Sequence, residues 1–98
     1  MVKHMIVWKL KEEFKERESR KAAIKESLEG LVGKIPGLTE MHIYLEPMSG
    51  STGDIFMDST FEDAASLAAY QKNFLHIEIA NTLVRPAVEE RLSFDYEI

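Results

Sequence analysis

Hydrophobic and polar positions change period several times along this chain, and each change marks an element. Val2 to Leu10 is rich in β-branched and aromatic side chains and reads as a first strand, which carries His4. From Lys11 to Lys34 the period lengthens. Ile24, Leu28, Leu31, Val32 and Ile35 recur at helical spacing, with Lys21, Lys25, Glu26 and Glu29 around the rest of the turn, which predicts an amphipathic helix. Pro36-Gly37 stops it, because proline disfavours helix in the residue before it and glycine permits an unusual turn. Met41, Ile43 and Leu45 then alternate with Glu40, His42, Tyr44 and Glu46, the period-two pattern of a strand from Leu38 to Glu46 with two unlike faces. Pro47 closes it. Met48 to Gly53 is too polar and glycine-rich for a packed element and reads as a hairpin loop, after which Asp54 to Glu62 returns to strand composition. Asp63 is placed to cap a helix running through Leu67 and Tyr70. Further helix is predicted from Phe74 to Arg91, disturbed near Pro86, before a last strand from Leu92 to Ile98.

The resulting order, β-α-β-β-α-β, is the ferredoxin-like arrangement of an α+β fold: a four-stranded antiparallel sheet with its helices on one face. That leaves the other face open. Met5 and Val7 point one way on the first strand while Ile6, Trp8 and Leu10 point the other; Ile55, Met57 and Phe61 oppose Phe56 on the third. Both faces are therefore partly apolar, and a homodimer joined through the open sheet face is the simplest way to cover the second. Trp8 reads as a dimer or core anchor, because burying its indole removes a large apolar area from water.

Ninety-eight residues, 45% of them apolar, suit one domain spanning residues 1–98. The net charge of −5 disfavours nucleic acid. With no cysteine, disulfides, thiolate metal sites and cysteine nucleophiles are excluded. The three histidines lack close ligand spacing, so no metal is expected. No apolar stretch approaches the roughly 20 residues of a membrane span, and no secretory signal opens the chain, so the expectation is a cytoplasmic protein without a membrane partner.

Five short segments carry a family likeness: Val2-Lys3-His4-Met5-Ile6-Val7-Trp8-Lys9-Leu10-Lys11, Ile35-Pro36-Gly37-Leu38, Ser59-Thr60-Phe61-Glu62-Asp63, Tyr70-Gln71 and Phe94-Asp95-Tyr96-Glu97. In this order and at these intervals they resemble the stress-responsive, or Dabb, family over nearly the whole chain. The resemblance implies a dimeric α/β barrel in which two sheets pack face to face, with a cavity between each sheet and its helices in some members. Family members that close a polyketide ring by aldol condensation use residues that here correspond to His4, Tyr70 and His76. Their further pocket histidine on the third strand is replaced by Ile55, and the family's usual His-Pro pair after the Tyr-Gln region by Asn73-Phe74.

A histidine titrates near neutrality, so His76 is a candidate general base and later acid, and Tyr70 a candidate hydrogen-bond donor to a substrate carbonyl. On an unbroken helix six residues rotate about 600°, about 120° short of two turns, so the two can converge only if the chain breaks between them. Asn73 is the residue with the turn tendency to do so. His4 shares strand parity with Ile6 and Trp8 and is expected at a pocket, in the core or at the open-face interface. Ile6, Ile55, Phe74 and Ile79 are expected to shape a pocket for a small, mostly apolar or aromatic organic molecule, with no cofactor. The rival expectations are a non-catalytic stress-associated dimer, with His76 open to solvent, and a cofactor-independent oxygenase, which rests on fold analogy.

Overall fold

The computed structural model describes all 98 residues, in the order β1 (Val2–Leu10), α1 (Arg17–Glu29), β2 (Leu38–Tyr44), β3 (Ile55–Phe61), α2 (Ala64–Lys72), α3 (Phe74–Ile79), a π-helical turn (Ala80–Val84) and β4 (Val88–Glu97). The strands form one antiparallel sheet in the order β2-β3-β1-β4. This is the ferredoxin-like α+β arrangement. No helix is long and apolar enough to cross a membrane.

Pairing sorts the side chains onto two faces. Trp8 lies opposite Ile55 and Arg91, Ile6 opposite Met57 and Ser93, and His4 opposite Ser59 and Asp95. Residues directly across a strand pair share a face. These look toward the helices, where Ile24 and Leu28 of α1 and Leu67 and Tyr70 of α2 complete a continuous apolar core. His4 thus belongs to the helix-covered side of the sheet, not to the open one.

Met5, Val7, Tyr44, Phe56, Leu92, Phe94 and Tyr96 occupy the opposite face. Leu92 and Phe94 are 74% and 69% exposed, and the rings of Tyr44 and Phe56 stack at 5.9 Å.

Several boundaries differ from those the pattern predicts. The first helix covers Arg17–Glu29 rather than residues 11–34. Before it, Lys11 to Glu16 is irregular, with a turn held by the Phe14 amide donating to Lys11 O and by Arg17 Nη1 donating to the same oxygen. After it, Gly33 has φ +88°, a left-handed conformation that glycine adopts without a steric penalty. Leu31 and Ile35 remain buried in the turns beyond, so the apolar period outlasts the helix. Gly37, at φ +84°, also lies so close to the Ser66 side chain that any Cβ there would collide with it. The second and third strands end slightly inside their expected limits, at Tyr44 and between Ile55 and Phe61.

The largest departure is near the C terminus. Helix extends only to Val84, its last stretch π-wound, and β4 begins at Val88 rather than Leu92. Pro86 has no amide hydrogen to continue a helix. Instead Ala87 donates to Val84 O, and its own carbonyl accepts from Lys11 N–H at 2.8 Å, tying the new strand to the end of β1. Arg91 therefore sits in a strand.

Candidate functional site

The helical segment after β3 is built from two pieces meeting at Asn73. Asp63 caps α2, its carboxylate accepting from the Ser66 amide at 2.7 Å. Asn73 then takes an extended conformation (φ −70°, ψ 132°) that ends α2, while its side-chain oxygen accepts from the Leu75 amide at 2.9 Å and so caps α3. One residue serves both ends.

Because of this break the Tyr70 and His76 rings come together, with centroids 4.2 Å apart and planes inclined by 33°. Tyr70 is only 1% exposed. Phe61 lies 4.9 Å away and His4 6.4 Å away, so the ring is wedged between β1, β3 and α3. Burial pushes the Tyr70 phenol well above its ordinary range, against a smaller opposing effect of the Arg91 charge. The group keeps its proton and remains a donor. Burial likewise pushes His76 below its ordinary value; a hydrogen bond to the Gln71 backbone opposes this, and the nearby charges of Arg91 and Arg85 add smaller effects in the same direction as burial. Its buried Nδ1 has no hydrogen-bond partner in the chain. His76 is thus neutral at pH 7, with acceptor capacity.

Both rings line a cavity of about 290 Å³ between the sheet and the helices. Ile6, Trp8, Met57 and Leu28 form its apolar floor and wall. Ala80, Val84 and Arg85 of the helical segment and Arg91 of β4 complete it. Winding explains why the first three share a side: Ala80 follows His76 by four residues, one α-helical turn, and Arg85 N–H donates to Ala80 O at 2.9 Å, an i to i+5 closure that brings Arg85 back over Ala80. Ile6, Trp8, Met57 and Tyr70 are buried whereas Arg85 and Arg91 are exposed, so the cavity runs from an apolar interior to a basic rim.

Of the residues singled out from sequence, Tyr70, His76 and Ile6 meet at this cavity. His4 stands behind Tyr70, with Nδ1 2.5 Å from Asp95 Oδ1, and supports the site rather than lining it. Three others do not line it. Ile55 is buried in the core opposite Trp8 and does not line this cavity. Phe74, directly after the break, is 71% exposed because α3 turns it toward solvent. Ile79 packs against the core without reaching the cavity. Arg85 and Arg91 were missed because residues 74–91 read as one helix. Alternation of Leu92, Phe94 and Tyr96 with Arg91, Ser93 and Asp95, extended back one residue, would have put Arg91 on the helix-covered side. No three of the His, Asp and Glu side chains cluster in a way that could hold a metal ion.

The chain belongs to the stress responsive A/B barrel domain (Dabb) family, whose family model matches residues 2–98. Among solved structures it is similar to a dimeric protein of unknown function with a ferredoxin-like fold from Bacteroides fragilis, at 26% identity and a TM-score of 0.91, covering 99% of this chain and 95% of that one. It is also similar to a Dabb family protein from Mesorhizobium loti (19% identity, TM-score 0.77, 99% of this chain and 95% of that one) and to a hydroxynitrile lyase from Passiflora edulis (17% identity, TM-score 0.77, 99% and 92%). At these last two identities the likeness shows the fold. No curated protein matches the sequence.

Proposed function

We propose that this protein is a homodimer, joined through its open sheet face, that binds a small and mostly apolar organic molecule in the cavity and moves a proton on it. The observation that carries this reading is the convergence of Tyr70 and His76 across the Asn73 break, on the wall of a largely apolar cavity. Their environments suit opposite tasks, which is a hallmark of acid-base sites. Neutral His76 accepts a proton from a carbon next to a carbonyl and later returns it, while Tyr70, held protonated by burial, donates a hydrogen bond to the carbonyl oxygen as charge develops there. An enclosed apolar wall strengthens both interactions by excluding water. A dimeric relative and a lyase on the same fold support the assembly and an enzymatic use of the scaffold. The exposed row of Leu92, Phe94 and Tyr96 supports the choice of interface.

The test is α-proton exchange of aryl methyl ketones, acetophenone first, followed by NMR in deuterated buffer, with binding read from the fluorescence of Trp8 in the cavity wall. Exchange should fall about a hundredfold or more in His76→Ala with the fold retained, the usual contribution of a positioned base. Tyr70→Phe should slow exchange with little change in binding. Exchange at the same rate in His76→Ala and in the parent protein would remove the catalytic role. Absence of binding by every ketone would leave the non-catalytic dimer as the better account.

A further inference from the structure

We propose that the ligand of this cavity carries a carboxylate, held at the rim by Arg85 and Arg91. The inference rests on the reading of the cavity as a small-molecule site and names the chemical class that fills it.

Four of the twelve Lys and Arg side chains pair with carboxylates, and of the rest Arg85 and Arg91 are the two that line the cavity. The chain has 17 acidic residues against 12 basic ones, so partners for cations are plentiful. Lys3 pairs with Asp58, Lys9 with Glu89, Arg17 with Asp54 and Lys25 with Glu29. Arg20 donates to the Leu83 carbonyl and lies over the Phe14 ring. Arg85 and Arg91 make no ion pair, although both line the cavity. Neighbouring carboxylates on β4 are engaged or averted: Asp95 is bonded to His4, and Glu90 lies opposite Lys9 on the other face.

Their placement is set by two separate features of the backbone. The i to i+5 closure of the π-helical turn brings Arg85 onto the cavity side, and strand parity opposite Trp8 does the same for Arg91. The two guanidinium groups thus approach from a helix and from a strand. A guanidinium offers planar, paired N–H donors that match the two oxygens of a carboxylate. The remainder of the lining is chiefly apolar, and a cavity of roughly 150 Å³ holds a benzene-sized ligand, so about 290 Å³ has room for a ring system bearing a short arm. The structure therefore fits an aromatic or alicyclic acid whose body lies against Ile6, Trp8 and Met57 while its carboxylate remains at the solvent-facing rim. Leaving the charge there limits the desolvation that a fully buried carboxylate would incur.

The experiment is titration calorimetry at pH 7 with two probes of nearly equal shape, 2-naphthoate and the neutral 2-naphthamide. The parent protein should favour naphthoate about tenfold to a hundredfold, the effect of charged hydrogen bonds, and the preference should shrink as salt is raised. In Arg85→Gln/Arg91→Gln the ratio should fall toward one. Lys15→Gln, which removes the same kind of charge outside the cavity, should keep it. Equal binding of both probes by the parent protein would overturn the carboxylate assignment while leaving the small-molecule site standing. If neither probe binds to folded protein, both this inference and the reading beneath it fail.

Discussion

Asn73→Ala removes the joint on which the site depends, and its effect follows from what Asn73 does in the structure. The side chain accepts one hydrogen bond, from the Leu75 amide, and supplies the cap of α3. Loss of such a cap costs about 1 kcal/mol. Alanine also favours joining α2 and α3 into one helix, but Tyr70 resists that outcome: it is buried against Phe61, and a straight helix would swing His76 about 120° away from it. The Asn73 backbone bond to Tyr70 O survives the substitution. The variant should therefore keep its fold with a melting temperature lower by about 4–8 °C, the shift that about 1 kcal/mol produces in a domain of this size. Circular dichroism melts at matched protein concentration provide the assay. Asn73→Asp retains an oxygen acceptor at the cap and should melt close to the parent. If alanine and aspartate variants melt alike, the cap bond does not hold the break, and packing around Tyr70 would have to account for it alone.

Two other outcomes are expected. Phe94→Glu places a charge in the exposed apolar row of β4 and should convert the dimer to a folded monomer, seen by light scattering coupled to size exclusion; an unchanged dimer would put the interface elsewhere. Stability should also fall on acidification, through His76. Its folded value lies below the ordinary 6.5, so the unfolded chain takes up the proton first, and stability that is full above about pH 6.5 declines as the pH drops from there toward the folded value. His76→Gln should flatten that part of the pH profile in thermal melts, and an identical profile in both proteins would argue against the assignment.

Much of this architecture is legible in residue periodicity. The alternation in β2 and the two faces of β1 reflect burial on one side of a sheet, which acts residue by residue and leaves its mark in composition. The Asp63 cap and the Pro36-Gly37 stop are equally local. What local pattern misses depends on tertiary closure. The apolar positions Leu31 and Ile35 continue the helical period into non-helical turns, because burial rather than backbone conformation selects those side chains. The π-helical turn and the early start of β4 arise where the chain meets Lys11, far away in sequence, and so Arg85 and Arg91 went unseen. Tyr70 and His76 were reachable only through the family resemblance together with the turn tendency of Asn73. Phe74 illustrates the opposite error: an aromatic residue beside a site draws attention by type, while its actual direction is decided by the angle between two short helices.

The two-sidedness of the sheet has a consequence for how copies of the chain work together. Cavity and apolar row lie on opposite sides of the same four strands. When two such sheets pack face to face, about 10 Å apart, the cavities end up on the outer flanks of the assembly, with both sheets between them. Ten residues of a single chain line each one. Occupancy of one should then leave its twin indifferent, saturation curves should be simply hyperbolic, and a mixed pair containing one His76→Ala copy should retain half the turnover of the parent, with neither copy lending a residue to the other.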